Sequence, residues 1–545
     1  MKRWIMAICT ICLAAAVLCS CGRAGQQTVS GQPVRAKLFC DVSFWRIPEW
    51  KETEGSITGG ITEKTGLALD IIVPAQDADT QLKIMLINDE LPDIISVTDS
   101  VTISQLVSSG KVWQIDEFLE AYKPDSHILE DFPEDVKHEM ILRDGGWYAY
   151  PSHINSAEER AKWETSEYVE NYVRYNNNNA MIWNRALLEQ AGLKEEELKT
   201  QEQVLAALER AKSMKLKADG EDVILLLIDG KDYQGTTLRY LQDTFGSEWV
   251  DENGNYRDIL LQPQSRTAMH FLNTVMYRSY ASPEQCTMEI SRIQEIMKSG
   301  RVLCFIGNVA NTEIDYREWV SAGAMLSPEG DVPVMGKSMR VTTGWISTFI
   351  AKDCKNPEEI AMFLDYMTSE EGMRFWSYGY EGRDYYVGED GAFYRTDPTV
   401  VQRYQETGIG AWWMFANMAW DRHAKAEDES ARAEMEVLSA YGMDKNTVLY
   451  DSSLLIMPPS LIIAGQEESM IEKEIEQWKK TEILKIILAE GEDAFEREYT
   501  ELIQGLYERG IDRMNQWKDE GYKKKCLEYG NTLQKINKTE GPRNR

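Results

Sequence analysis

Cysteine and histidine are too few and too scattered in this chain to build the chemistry they usually carry. Four of the nine cysteines (Cys9, Cys12, Cys19 and Cys21) fall in the first 21 residues, leaving Cys40, Cys286, Cys304, Cys354 and Cys526. An odd count at long spacings, with no CxxC pair, excludes a disulfide framework and a thiolate metal site. The five histidines (His127, His138, His153, His270 and His423) fall outside any HExxH pair, and no GxSxG elbow, P-loop or GxGxxG run is present. We therefore expect no catalytic residue, no metal and no cofactor. A secreted carbohydrate-active enzyme stays open as the alternative, because the acids are too numerous for a glycosidase pair to be singled out. Positive charge is also short. Lys and Arg number 59 against 89 Asp and Glu, a formal net charge of −30, which excludes nucleic acid and anionic lipid as natural partners and reads as a solubility feature. The apolar run Trp4 to Leu18, preceded by Lys2 and Arg3, is too short for a stable membrane span and reads as a secretory signal.

What is there is an α/β protein with enough apolar residues, 43%, for large cores, and a length that implies two domains or more. Residues 22–33, rich in Gly, Gln, Ser and Ala, read as a flexible tether. A strand at Ala36–Cys40 is followed by helix Ser56–Thr65 closed by Gly66, strand Leu67–Val73, helix Asp79–Asn88, strand Asp93–Val97 and a helix ended by Gly110. That alternation implies a parallel sheet covered on both faces. Ligands of open α/β sheets sit outside the carboxyl ends of the strands, which points to Thr98 and Asp99; a helix cap is the competing reading of Asp99. Trp45 and Trp50, in the loop after the first strand, read either as stacking platforms or as core. A second α/β series starts at Ala180, with Asn184 as a cap, helix Arg185–Ala191, a Thr200/Gln203 capping box and strand Val223–Ile228. The run Asp251–Asn255 half-fits a calcium loop, but its turn glycine is displaced, so it reads as a β-turn. Later, strand Ile346–Ala351 precedes a helix marked by Asn356 as N-cap and Pro357 at the first helical position, and a second helix starts at Ser369. Trp412 and Trp413 lie in an aromatic, charge-poor run, 408–420, that fits a cleft wall or a core patch. Residues Glu467 to Tyr522 read as a charged, periodic helical pair.

Particular wordings carry a resemblance. The run NPEEIAMFLDYMTSEEG followed by YGYEGRDYY (residues 356–386) resembles the C-terminal portion of the extracellular solute-binding proteins, family 1, of bacterial ABC importers. So do ITEKTGLALDIIVP, LKIMLINDELPDII and LVSSGKVWQIDEFL between residues 61 and 119, MIWNRALLEQAGL at 181–193, the RDGGWYAYPS hairpin at 143–152, and the strand leading to Asn308. The resemblance implies a two-lobed periplasmic-binding-protein-like fold of type II, each lobe a mostly parallel sheet flanked by helices, with a hinge of several crossings. It divides the chain into lobe 1 at 35–148, lobe 2 at 149–321, lobe 1 again at 322–375, and lobe 2 with its C-terminal helices at 376–545. It also implies a carbohydrate, an oligosaccharide, held between the lobes and passed to an ABC permease. Trp45, Trp50, Asp99, Asn308, Trp345, Glu381, Trp412 and Trp413 are the expected ligand-binding residues. Leu18, Cys19, Ser20 and Cys21 resemble a bacterial lipobox, so residues 1–20 are the expected lipoprotein signal, Cys21 the lipidated residue and 21–34 its tether. The expected product is a monomer anchored to the cell membrane and facing the extracellular side, of Gram-positive type. A surface receptor without transport and a peptide ligand are the alternatives.

Overall fold

The computed structural model describes residues 33–42, 45–74, 78–163, 166–338, 341–342, 344–456, 466–530 and 535–536. The signal, Cys21 and the tether as far as residue 32 lie outside them. Val34–Cys40 pairs in parallel with Leu67–Ile72 on one side and Ile94–Val97 on the other. Ser347–Ile350 then inserts between Ile94–Val97 and Tyr150–Pro151, antiparallel to both, to complete a five-stranded sheet. All four residues of Ile94–Val97 and of Ser347–Ile350 are buried, as strands covered on both faces must be. Helix Ile57–Thr65 starts where the Ser56 hydroxyl accepts from the Gly59 N–H, and it stops at Gly66 in the left-handed conformation. Leu38, Ile61, Leu69, Ile95, Phe118, Phe349 and Phe363 lie in the core of this first body.

The second body is built on a four-stranded sheet ordered Trp319–Val320, Asn179–Asn184, Val302–Asn308, Ile224–Ile228. Val302–Asn308 runs parallel to Ile224–Ile228 and antiparallel to Asn179–Asn184. Alternation along the strand sorts its side chains: Met181 and Trp183 enter one core, Ala180 and Ile182 the other. Asn184 and Thr200 cap their helices as their sequence positions require, the latter in a reciprocal capping box with Gln203. The C-terminal stretch forms three helices rather than a pair, Glu467–Ile487, Glu492–Glu508 and Ile511–Glu528. Ile483, Ile486, Phe495, Leu502 and Leu506 from the first two enter the second body's core. Gly505 admits the Trp478 indole there; a Cβ on it would lie 2.4 Å from the ring. Asp251–Asn255 is a turn, closed by the Asp251 N–H to Asn255 carbonyl bond and by the Asp251 carboxylate accepting from the Asn253 and Asn255 N–H groups.

Packing moves the expected lobe boundaries. Tyr150 and Ile154 belong to the first core and Trp163 packs against it, so the chain leaves that body after residue 163 rather than at 148. Ala322, Met325 and Met335 belong to the second core and Ile346 to the first, which puts the return near 337–345 rather than 322. From Trp376 the chain does not cross: Trp376, Tyr385, Tyr404, Trp413, Trp420 and Ala424 all pack in the first body, and the second is re-entered only near Met435. The segments leading into the first connection and out of the second pair with each other, Asn155–Ser156 against Val341–Thr342. The third carries an ion pair, Lys425 Nζ to Glu434 at 2.6 Å. Asn356 also departs from its expected role. Its backbone is left-handed and its side chain makes no cap bond, while Pro357 at the first helical position removes one of the donors a cap would serve.

Candidate functional site

Register decides which side chains gather at the carboxyl end of the first sheet. Asp41 follows Val34–Cys40, Thr98 follows Ile94–Val97, and Ser152 and His153 follow Tyr150–Pro151. Because Ser347–Ile350 runs the other way, its preceding residues Gly344, Trp345 and Ile346 meet them at the same edge. Asp41 accepts through Oδ2 from the Thr98 N–H (2.6 Å) and hydroxyl (2.8 Å), while its Oδ1 is buried without a partner. Burial raises the Asp41 carboxyl above its usual pKa, against the bonds from Thr98.

Aromatic rings cover this edge. Trp345 stacks on Trp413 with ring centres 4.9 Å apart and planes 4° from parallel. Trp45 stacks on Tyr404 at 4.5 Å and 8°, and meets Trp413 edge-on at 5.8 Å. Trp345 is 43% exposed and Trp413 only 8%, so the pair presents one outward indole backed by another. The indole N–H groups of Trp45 and Trp413 are buried without acceptors. His153 lies 6.2 Å from Trp345 and 6.4 Å from Trp413 between ring centres. Its backbone is left-handed, φ +52°, and its Nδ1 is buried without a partner. Burial lowers the imidazole pKa to about 4, so the ring is neutral near pH 7. Gly344 faces it across the strand pair at φ +60°; a Cβ there would lie 1.7 Å from the Ser152 carbonyl oxygen.

The corresponding edge of the second body carries amides and acids. The Asn308 N–H donates to Asp229 Oδ2 (2.8 Å), and Asn308 Oδ1 and Asp229 Oδ1 are both buried and unpartnered. Burial raises the Asp229 carboxyl above its ordinary value. Asn179 pairs with Asn308 in register and, with Asn177, Arg239, Trp249 and Tyr450, lines a groove of about 440 Å³. Arg239 sits 5.3 Å over the Trp249 ring while Asp243 holds its guanidinium with two hydrogen bonds. The first and second connections enter and leave the two bodies beside these edges.

Of the eight expected ligand residues, Trp45, Trp345 and Trp413 come together on the first edge and Asn308 lies on the second. Trp50 and Trp412 are core residues. Trp412 is 0% exposed and meets Trp50 edge-on at 5.3 Å, and the Trp50 N–H is taken by the Thr62 hydroxyl. Asp99 is a helix cap, accepting from the Thr102 N–H and hydroxyl. Glu381 sits exposed on the turn after helix Glu370–Tyr378, whose neighbours Tyr380 and Arg383 fasten it to Ser56 and Gly55, on other elements than the tryptophan cluster. Asp41 and Asp229 were within reach of sequence reasoning, since each directly follows a strand of its sheet. His153, Tyr404 and Trp249 carry no local signal and join the edges only through the tertiary fold.

A family model described as bacterial extracellular solute-binding protein matches residues 62–374. No curated protein matches the sequence. Among solved structures, the S. pneumoniae ABC-transporter substrate binding protein FusA, an EF-hand mutant in complex with fructo-nystose, superposes with a TM-score of 0.67 at 14% identity, covering 91% of this chain and 100% of that one. The alginate-binding protein AlgQ2 without calcium ion gives 0.63 at 14% identity, covering 92% and 100%. The N-glycan transport solute binding protein NgtS from Streptococcus pneumoniae gives 0.57 at 14% identity, covering 91% and 100%. At these identities the likeness is one of fold.

Proposed function

Since the chain belongs to the bacterial extracellular solute-binding proteins, we propose that it captures a carbohydrate between its two bodies and delivers it to the permease of an ABC transporter. The observation that carries this reading is the Trp345–Trp413 stack, with Trp345 43% exposed, set beside buried acceptors and donors that have no hydrogen-bond partner among the described residues. Sugars offer flat C–H faces to indole rings, and their hydroxyls match such buried polar atoms. An oligosaccharide fits two edges that each carry a tryptophan. Of the three solved structures named above, one is in complex with fructo-nystose, one is an alginate-binding protein and one an N-glycan transport protein, which supports the ligand class. Asp41 and Asp229 at the strand ends each keep a buried oxygen that a sugar hydroxyl can donate to, and a neutral oligosaccharide, rich in such donors, is the ligand we propose. The lipobox-like residues up to Cys21 support anchoring of the protein to the outer face of the membrane, and no helix among the described residues is long and apolar enough to cross one. No GxSxG, HExxH or comparable motif supports turnover, which favours a receptor over an enzyme.

Isothermal titration of the purified protein against neutral and acidic oligosaccharides and against peptides tests the assignment. Neutral sugars are expected to give saturable heat, and Trp345→Ala to weaken the best of them by about tenfold, the effect of losing one stacked ring. Heat with peptides alone, or a Trp345→Ala protein of unchanged affinity, would overturn it.

A further inference from the structure

We infer that Glu139 and Lys525 form a tie between the two bodies that sets how far apart they stand when no ligand is bound. Glu139 lies on helix Glu134–Asp144, which buries Val136 and Met140 in the first core. Lys525 lies on the last helix, Ile511–Glu528, which buries Ile511 and Met514 in the second. The Lys525 Nζ donates to Glu139 Oε2 at 3.4 Å, across 386 positions of sequence, and to the Ser453 carbonyl at 3.2 Å. The Lys525 and Glu139 side chains are 13% and 17% exposed, so two charges from different bodies are both withdrawn from water where the bodies meet.

Helical spacing explains their burial. Glu139 stands three residues after Val136, and Lys525 three after Tyr522, so each shares a helix face with a buried neighbour. That placement costs both ions hydration, which their mutual attraction offsets only while they are together. Neither helix belongs to a connection between the bodies, so contact between the bodies, and nothing covalent, keeps the pair in register. When the bodies part, the attraction is exchanged for hydration of two free charges. Such near balance suits a contact that must form and break, whereas an apolar contact of equal area would gain far more from staying shut. The Ser453 carbonyl holds the ammonium from the side of the second body. The last helix also backs the second edge: Tyr522 packs with Tyr256, whose ring stacks on the groove residue Trp249 at 5.8 Å. The tie follows from the two-body fold and is independent of what the ligand is.

Small-angle X-ray scattering of the purified protein, without ligand, tests it. Glu139→Lys sets two ammonium groups against each other and is expected to raise the radius of gyration by about 1 Å, the scale of a modest hinge opening. Glu139→Lys combined with Lys525→Glu brings opposite signs together again and should return the radius to the parent value, a rescue that a misfolded variant would not show. A Glu139→Lys protein with the parent's radius would overturn the tie. So would a charge-swapped protein as expanded as the single variant.

Discussion

His153 combines two unfavourable features, a left-handed backbone and an unpartnered buried nitrogen, beside the aromatic stack of the candidate site. Its pKa, lowered by burial to about 4 from the usual 6.5, has a sign that can be measured. Between those values the unfolded chain takes up a proton that the folded chain refuses, so stability is fully present above pH 6.5 and is lost as pH falls toward 4. The loss expected is about 2 kcal/mol, somewhat below the full linkage value because the residue is not wholly buried. Urea titrations at pH 7 and pH 4.5 read it directly, and His153→Asn, which keeps a residue tolerant of the left-handed region, should flatten this component. At this scale the sequence was least legible. Trp412 and Trp413 are adjacent in one aromatic run, yet the first is entirely within the core and the second backs the outward indole. In an irregular segment no periodicity tells neighbours apart. The packing of Trp50 and Trp345 against them does, and both come from distant parts of the chain.

Elements were legible where local chemistry sets them. Helix Ile57–Thr65 lies between a serine cap and a left-handed glycine, and Gln201–Met214 follows its capping box, because hydrogen bonds within a few residues decide those ends. The connections between bodies were less so. A strand that stays in one body and a strand that crosses have the same local pattern, so the segment after Trp376 read as crossing although it packs back on the first core. The true third connection runs between helices Met418–Ala424 and Glu429–Met443 and is spanned by Lys425 and Glu434. The Glu434 carboxyl is pulled below its usual pKa by Lys425 and Arg422 against the effect of burial, and Lys425 is held above its own by Glu434. The pair therefore stabilises the fold above about pH 4.5, and its contribution disappears as pH falls through the lowered value. Glu434→Gln is expected to cost about 1–3 kcal/mol at pH 7, less than a fully interior pair because a quarter or more of each side chain meets solvent. The gap between variant and parent should close in acid; a gap constant from pH 7 to pH 3 would show that the charge is not its source.

For the whole molecule, the two-body α/β architecture was legible, because alternating strands and helices leave few ways to cover a parallel sheet. The two bodies nevertheless differ in where they finish. The first core is complete by Ala424, whereas the second draws Ile475, Ile486, Phe495, Leu506 and Met514 from the C-terminal helices. A chain ending at residue 444 is accordingly expected to keep the first body and lose the second. Limited proteolysis followed by mass spectrometry should then recover resistant fragments from residues 33–156 and 344–424, still associated, and none from 179–335. Resistance of the 179–335 region in the shortened chain would contradict this.

The late insertion of Ser347–Ile350 also bears on how the protein is made. Ser96 and Thr348, whose hydroxyls meet at 2.9 Å in the finished sheet, are 252 positions apart. At ordinary translation speeds about 10–50 s pass between their synthesis. Throughout that interval the apolar strand Ile94–Val97 has one hydrogen-bonding edge open, a template for any other extended segment nearby. Until Ser347–Ile350 pairs with it, that edge is held closed by nothing in its own neighbourhood of the sequence, so the sheet is finished by its most distant partner.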